Sequence, residues 1–269
     1  MLRRSKTFLA DRKWCDLPWK SSQKGLQDLL TDILLKMPEI YRRNDELSRE
    51  SCQSKMLTGL ISVVERCWQV DSQLKDWYSR FEISVAGPIY CPKLSTSNSP
   101  VDDAESGKVF AVAFHFPSFD VATTMVSYWL ALLLVHPILC SFYERLVSLV
   151  GVVQENMECS CIEDAVFEPT DATSVTSAIC RRHFSISKLP PLGYRTGWAP
   201  GAARNICQSV EYIMQEEMGE LGASIILPRL MTVREFLVFA PGDWSRELSW
   251  IANQLKKIQD MGNDVSRYV

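Results

Sequence analysis

Cys159-x-Cys161 is followed by Cys180-x-x-His183. Three thiolates and an imidazole form a donor set that suits tetrahedral zinc. Structural zinc pairs favour two to four intervening residues, and a single residue separates Cys159 from Cys161. These residues therefore read as unrelated cysteines on a helix end and a loop, and no metal site is expected. For acid–base work the chain offers His115, His136 and His183. His136 stands among leucines just before Pro137 and reads as a satisfied core histidine. The chain has no G-x-S-x-G elbow and no H-E-x-x-H helix. Gly193, Gly197 and Gly201 lack the spacing of a phosphate-binding loop. No catalytic or cofactor-binding residue is expected, no cofactor is implied, and the chain does not read as an enzyme.

Two further chemistries are tested by the acidic and basic clusters. The stretch "NDELSRESC", Asn44 to Cys52, resembles the magnesium-binding Asn/Ser/Glu motif of isoprenoid synthases. It ends in Cys52 where a glutamate is needed, and "DDAES" from Asp102 lacks a second acidic position. Arg181-Arg182 and Lys256-Lys257 are isolated pairs, which is the pattern of a solvated face and not of a nucleic-acid surface. Net charge is −3 with pI near 5.7, so no global attraction to DNA or anionic lipid is expected.

The elements that must carry these residues are helical almost throughout. Leu26, Leu29, Leu30, Ile33, Leu34 and Met37 form one apolar stripe, with an Asp32–Lys36 pair on its polar side and Pro38 as its stop. A longer helix follows, with Leu57, Leu60, Ile61, Val64, Trp68, Leu74 and Trp77 near one face. Gly87 to Gly107 reads as a loop, and "VFAVAFHF" after it as either a short buried strand or an irregular apolar lead-in. Ser185 to Gly201 reads as a second break, and Gly201 to Met218 as a helix. Pro228 is expected in the first turn of the next helix. Asp243 is the expected N-cap of the last helix, and Gly262 its C′ stop.

Between these lies "VATTMVSYWLALLLVHPILCSFYE", Val121 to Glu144, with no charge before its final residue. It is long enough to cross a bilayer of about 30 Å. Its polar residues make insertion marginal, and the amphipathic stripes around it need a shared core. It is expected to be the buried axis of an all-α, single multi-helix domain, bent or ended at His136-Pro137, with no membrane involved. Residues 1–20 form a basic lead-in, read as poorly ordered in preference to a mitochondrial presequence, and residues 21–269 form the helical domain. Nine cysteines without a regular framework point to a reducing compartment, with most of them acting as small buried hydrophobes.

The segments "RCWQVDSQLKDWYSRFE", "FDVATTMVSYWLALLLVHPIL", "ARNICQSVEYIMQEEMGELGASIILPRLMTVREFL" and "RELSWIANQLKKI" follow one another in a familiar order. Together they resemble the fungal-specific transcription factor domain, the helical regulatory region behind the binuclear zinc cluster of many fungal regulators. The likeness runs from Leu26 to Met261 and is strongest over Ala203 to Leu237, in "ICQSVEY", "MGELG" and "LPRLMTVREF". The chain has no Cys-x-x-Cys pair, so the zinc cluster of such regulators is missing. The resemblance implies a nuclear, or alternatively cytoplasmic, regulator-like protein in control of a specialised metabolic pathway. It would act through protein partners such as zinc-cluster transcription factors, with a possible small-molecule effector and no direct DNA binding. Pairing through Leu248, Ile251 and Leu255 is one route. The alternatives are a helical enzyme or small-molecule-binding protein, or a truncated non-functional regulator fragment.

Overall fold

In the computed structural model residues 8–155 and 189–262 are described. From Phe8 to Trp19 the lead-in forms short helical turns, including α1 (Arg12–Asp16), and Phe8 packs edge-on against Trp14. Helix α2 (Leu26–Leu34) buries Leu30 and Ile33. Asp32 pairs with Lys24 and not with Lys36, whose ammonium instead donates to Gln73 on α4.

The apolar stripe then turns into a helix that periodicity did not separate, α3 (Met37–Leu47), with Pro38 in its first turn. Proline is tolerated there because that N–H has no partner within the helix. The outer face of α3 is an ion-pair ladder of Glu39, Arg42, Arg43 and Glu46, and its inner face buries Met37, Ile40 and Leu47. Helix α4 (Gln53–Ser84) buries Leu57, Leu60, Val64, Leu74 and Trp77 as its spacing predicts. Its Trp77 indole donates to the Leu26 carbonyl at 2.7 Å and so ties α4 to α2.

The fold is mainly α-helical, and its axis is α5 (Phe119–Glu155), packed between α4 and α6. Two thirds of its most apolar window is buried within the protein, although it is long and apolar enough to cross a membrane. The helix neither ends nor breaks at Pro137. Packing on both flanks outweighs the hydrogen bond that Pro137 removes. In the same turn the Tyr41 hydroxyl donates to the Leu134 carbonyl at 3.1 Å.

Within the expected loop after Gly87, Cys91–Leu94 forms strand β1, antiparallel to β2 (Val112–His115), with Cys91 opposite His115. Helix α6 (Arg195–Gln208) begins six residues earlier than the glycines suggested, with Pro200 inside it. Its Ala199, Ala202 and Ala203 are buried, and small side chains let the α6 and α5 backbones approach closely. That contact outweighs local propensity. The turn α7 (Val210–Ile213) leads into α8 (Gly219–Phe239), so Pro228 lies inside α8 and not in its first turn. Last comes α9 (Ser245–Asp260), whose N-cap is Trp244 and not the expected Asp243; the Asp243 carboxylate, one residue earlier, accepts the Ser245 N–H at 3.0 Å, and Gly262 closes the end at φ +90°.

Candidate functional site: an aromatic cavity beside a buried acid–histidine pair

The stripe of α4 contains one residue that does not belong on an apolar face. Asp71 sits between Trp68 and Leu74 and is 4% exposed. Burying a lone carboxylate is costly, so it must find partners. His136 on α5 meets it, with Nε2 2.9 Å from Oδ1. Arg195 at the start of α6 donates from Nη2 to Oδ2 at 2.5 Å. Burial would raise the Asp71 pKa, but the hydrogen bonds from His136 and Arg195 outweigh it and hold the carboxyl below its ordinary value.

One acid thus joins α4, α5 and α6. The Arg195 guanidinium lies 4.4 Å over the Trp68 ring and 4.6 Å over the Tyr194 ring. The Trp68 indole in turn donates to the Tyr143 hydroxyl at 2.9 Å, and that hydroxyl donates to the Pro190 carbonyl at 2.6 Å.

An ionised carboxylate only accepts, so His136 must carry its proton on Nε2 to meet Asp71. In the neutral ring Nδ1 is then a lone-pair acceptor. It is buried and has no partner. His136 was expected to be a satisfied core histidine; it is fully buried, yet satisfied at one nitrogen only. Asp71 positions it much as a carboxylate orients a catalytic imidazole.

His136 also lines a cavity of about 360 Å³ between α4, α5 and α6. From α5 come Met125, Tyr128, Trp129 and Leu132, which lie on one helical face with His136. Tyr78 of α4 and Tyr90 ahead of β1 form one wall, and Tyr194, Trp198 and Asn205 form the other. Tyr78 and Tyr128 stack with ring centroids 5.0 Å apart. With the Asn205 amide oxygen turned towards α5, it accepts the Trp129 indole N–H at 3.3 Å, and its nitrogen donates to the Gly201 carbonyl. Burial pushes the Tyr128 hydroxyl pKa up, so it stays a neutral phenol.

The residues singled out by sequence lie elsewhere. His115 ends β2 and packs edge-on against Tyr212. Asp102 accepts the Ser99 and Val109 N–H groups, and Asp103 those of Glu105 and Ser106, so the acidic pair shapes its own loop. Asn44 accepts from Arg145, and Lys256 and Lys257 are exposed. Cys159, Cys161, Cys180, Arg181, Arg182 and His183 lie outside the described residues. Among the described residues no three potential donors gather to hold a metal. Of the described cysteines, Cys67 and Cys207 are buried and Cys15 and Cys140 half-buried, whereas Cys52 and Cys91 are exposed at the start of α4 and on β1. The cysteines are therefore not mainly core residues within this part of the chain, because these two sit on edges that the core does not cover. Ile251 and Leu255 are buried, so the α9 face considered for pairing is spent on the core.

Sequence reasoning passed over Asp71 and Arg195. The available signal was an acid at an inward position of the α4 stripe, since such an acid needs a cation or a donor from another element. No family model, curated protein or solved structure matches the chain.

Proposed function

We propose that this chain is an effector-responsive helical domain of the fungal transcription-regulator type, acting in the nucleus through protein partners. The observation that carries the effector part is the aromatic cavity of about 360 Å³ joined to the buried Asp71–His136–Arg195 cluster. Its volume falls in the range of small-molecule sites, which are mostly apolar with a few placed polar groups. The regulator part is supported by the order of the helical segments and by the positions of "ICQSVEY" and "MGELG" within it. The acidic net charge favours recruitment through a partner over direct DNA contact. A small molecule in the cavity touches α4, α5 and α6 at once, which gives it the means to bias how they pack.

The experiment is deletion of the gene followed by transcript profiling, with affinity capture of the tagged chain from nuclear extract. Altered transcripts of one metabolic gene set, together with capture of a zinc-cluster protein, are the expected results. Unchanged transcripts and no DNA-binding partner would overturn the reading.

One observation favours a second reading, a helical enzyme. An imidazole backed by a carboxylate, with its far nitrogen free beside a cavity, is the arrangement of a general base. A metabolite that accumulates on deletion while transcripts stay constant is the result expected of that reading.

A further inference from the structure

We infer that the cavity between α4, α5 and α6 takes a flat, neutral aromatic compound bearing a hydroxyl, whose O–H donates to Nδ1 of His136. The inference rests on the effector reading and adds the chemistry of the occupant. The walls favour a flat ring system, because Tyr78, Tyr90, Tyr128, Trp129 and Trp198 offer faces and edges for offset stacking. Met125 and Leu132 add apolar surface that a polar ligand would have to dehydrate.

The charges decide against ions. The Asp71 carboxylate and the Arg195 guanidinium bond each other, so the cluster behind the cavity is close to neutral. An anionic ligand would meet Asp71 through the His136 ring. A cationic ligand would meet the Arg195 guanidinium, which already lies against the ring of the wall residue Tyr194. Neither ion would find a free counter-charge among the lining residues.

The hydrogen-bond inventory decides the polar group. Trp129 and Asn205 satisfy one another across the wall, and Asp71 is spent on His136 and Arg195. The Tyr78, Tyr90, Tyr128 and Tyr194 hydroxyls and the Trp198 indole N–H also line the cavity, but Nδ1 of His136 is the one lining group among the described residues that is both buried and unpartnered. In the neutral ring, with the proton on Nε2, Nδ1 accepts and does not donate. The occupant must therefore supply a hydrogen. An aromatic hydroxyl supplies it from the plane of the ring that the walls stack upon, and it is a stronger donor than an aliphatic alcohol.

The test uses the full chain and three probes: β-naphthol, its methyl ether, and the cationic naphthylmethylamine. Affinities come from calorimetry and from quenching of tryptophan fluorescence. β-Naphthol should bind about tenfold or more tightly than the ether, the loss expected when a buried acceptor goes unpaired. His136→Gln keeps an N–H for Asp71 while removing Nδ1, and it should bring the two affinities to within about threefold. Nitrogen-15 NMR of the wild-type protein supplies a readout that does not depend on the variant folding. The Nδ1 signal of His136 should move towards the hydrogen-bonded position when β-naphthol is added and stay put with the ether. Equal affinities for naphthol and ether, or an unmoved Nδ1 signal, overturn the hydroxyl assignment and leave the effector cavity standing. Tighter binding of the amine overturns the neutral-ligand assignment. Binding of none of the three overturns this inference and the effector reading together.

Discussion

The Ile213 carbonyl oxygen occupies the space where a side chain on Gly222 would begin: a Cβ built there lies 2.1 Å from it. Three residues earlier in the chain, Gly219 turns at φ +48° to start α8. The motif "MGELG" is thus a hinge glycine and a contact glycine, and α8 can cross the end of α7 only because Gly222 has no side chain. Gly222→Ala is expected to destabilise the fold by about 2–3 kcal/mol, since the obstacle is backbone and cannot rotate away. Chemical denaturation compared with Ser224→Ala, on the exposed side of the same helix, checks it. An unchanged midpoint would mean that α7 and α8 are not so close.

Asp71 is the acid that holds three helices, and its loss should be felt on all of them. Asp71→Ala leaves His136 buried and Arg195 half-buried without their carboxylate, at an expected cost of about 3–5 kcal/mol. Arg195→Met alone should cost less, because Asp71 keeps His136. A double-mutant cycle by urea unfolding should give a coupling of about 1–3 kcal/mol. Additive effects would show that the pair does not act as a unit.

Glu211 gives a pH dependence with a definite sign. Partial burial would raise its pKa, but its oxygens accept from the Ser95 and Thr96 hydroxyls and the Thr96 and Ser97 N–H groups, which lower it to about 2. A folded pKa below the unfolded value means stability that is present above the ordinary value of 4.5 and lost as pH falls towards about 2. With allowance for solvent screening, that stability is about 1–2 kcal/mol. Glu211→Gln should lower the melting temperature at neutral pH and flatten its decline in acid. Parallel acid profiles for the two proteins would refute the clamp.

Helix α5 sets the stability of the whole. Leu133 is 3% exposed at its middle. Leu133→Arg buries an unpaired charge and should remove more than about 4 kcal/mol, enough to unfold the domain. Circular dichroism and limited proteolysis of the variant, prepared without detergent, check this.

The helical class and the buried axis were readable because they rest on period and composition, which are local. Val121 to Glu144 carries no charge until its end, and stripes on both sides of it had to be covered. Helix α3 escaped because Glu39, Arg42, Arg43 and Glu46 dilute its apolar face, while their pairing supports the helix. Strand β1 escaped because all four of its residues are exposed and one is Pro92, so it carries no burial pattern. Helix α6 was cut short on paper by Gly197, Pro200 and Gly201, whose local penalties are offset by tertiary contact. The cavity was least legible of all. His136 lies 65 residues from Asp71, and Arg195 lies 124 from it, so nothing local announces their meeting.

The Glu211 clamp also carries a kinetic consequence. Its bonds to Thr96 close a separation of 115 residues, whereas the helices on either side grow from contacts within a few turns. Joining distant segments costs loop entropy that buried contacts repay best, and the clamp lies on an exposed loop and covers little apolar surface, so its carboxylate is expected to engage after the core has packed. Interactions formed after the folding barrier govern how fast the native state opens and not how fast it forms. Glu211→Gln should therefore leave the refolding rate nearly unchanged and accelerate unfolding. The clamp acts as a latch on the lifetime of the folded domain, placed at the short hairpin in an otherwise helical chain.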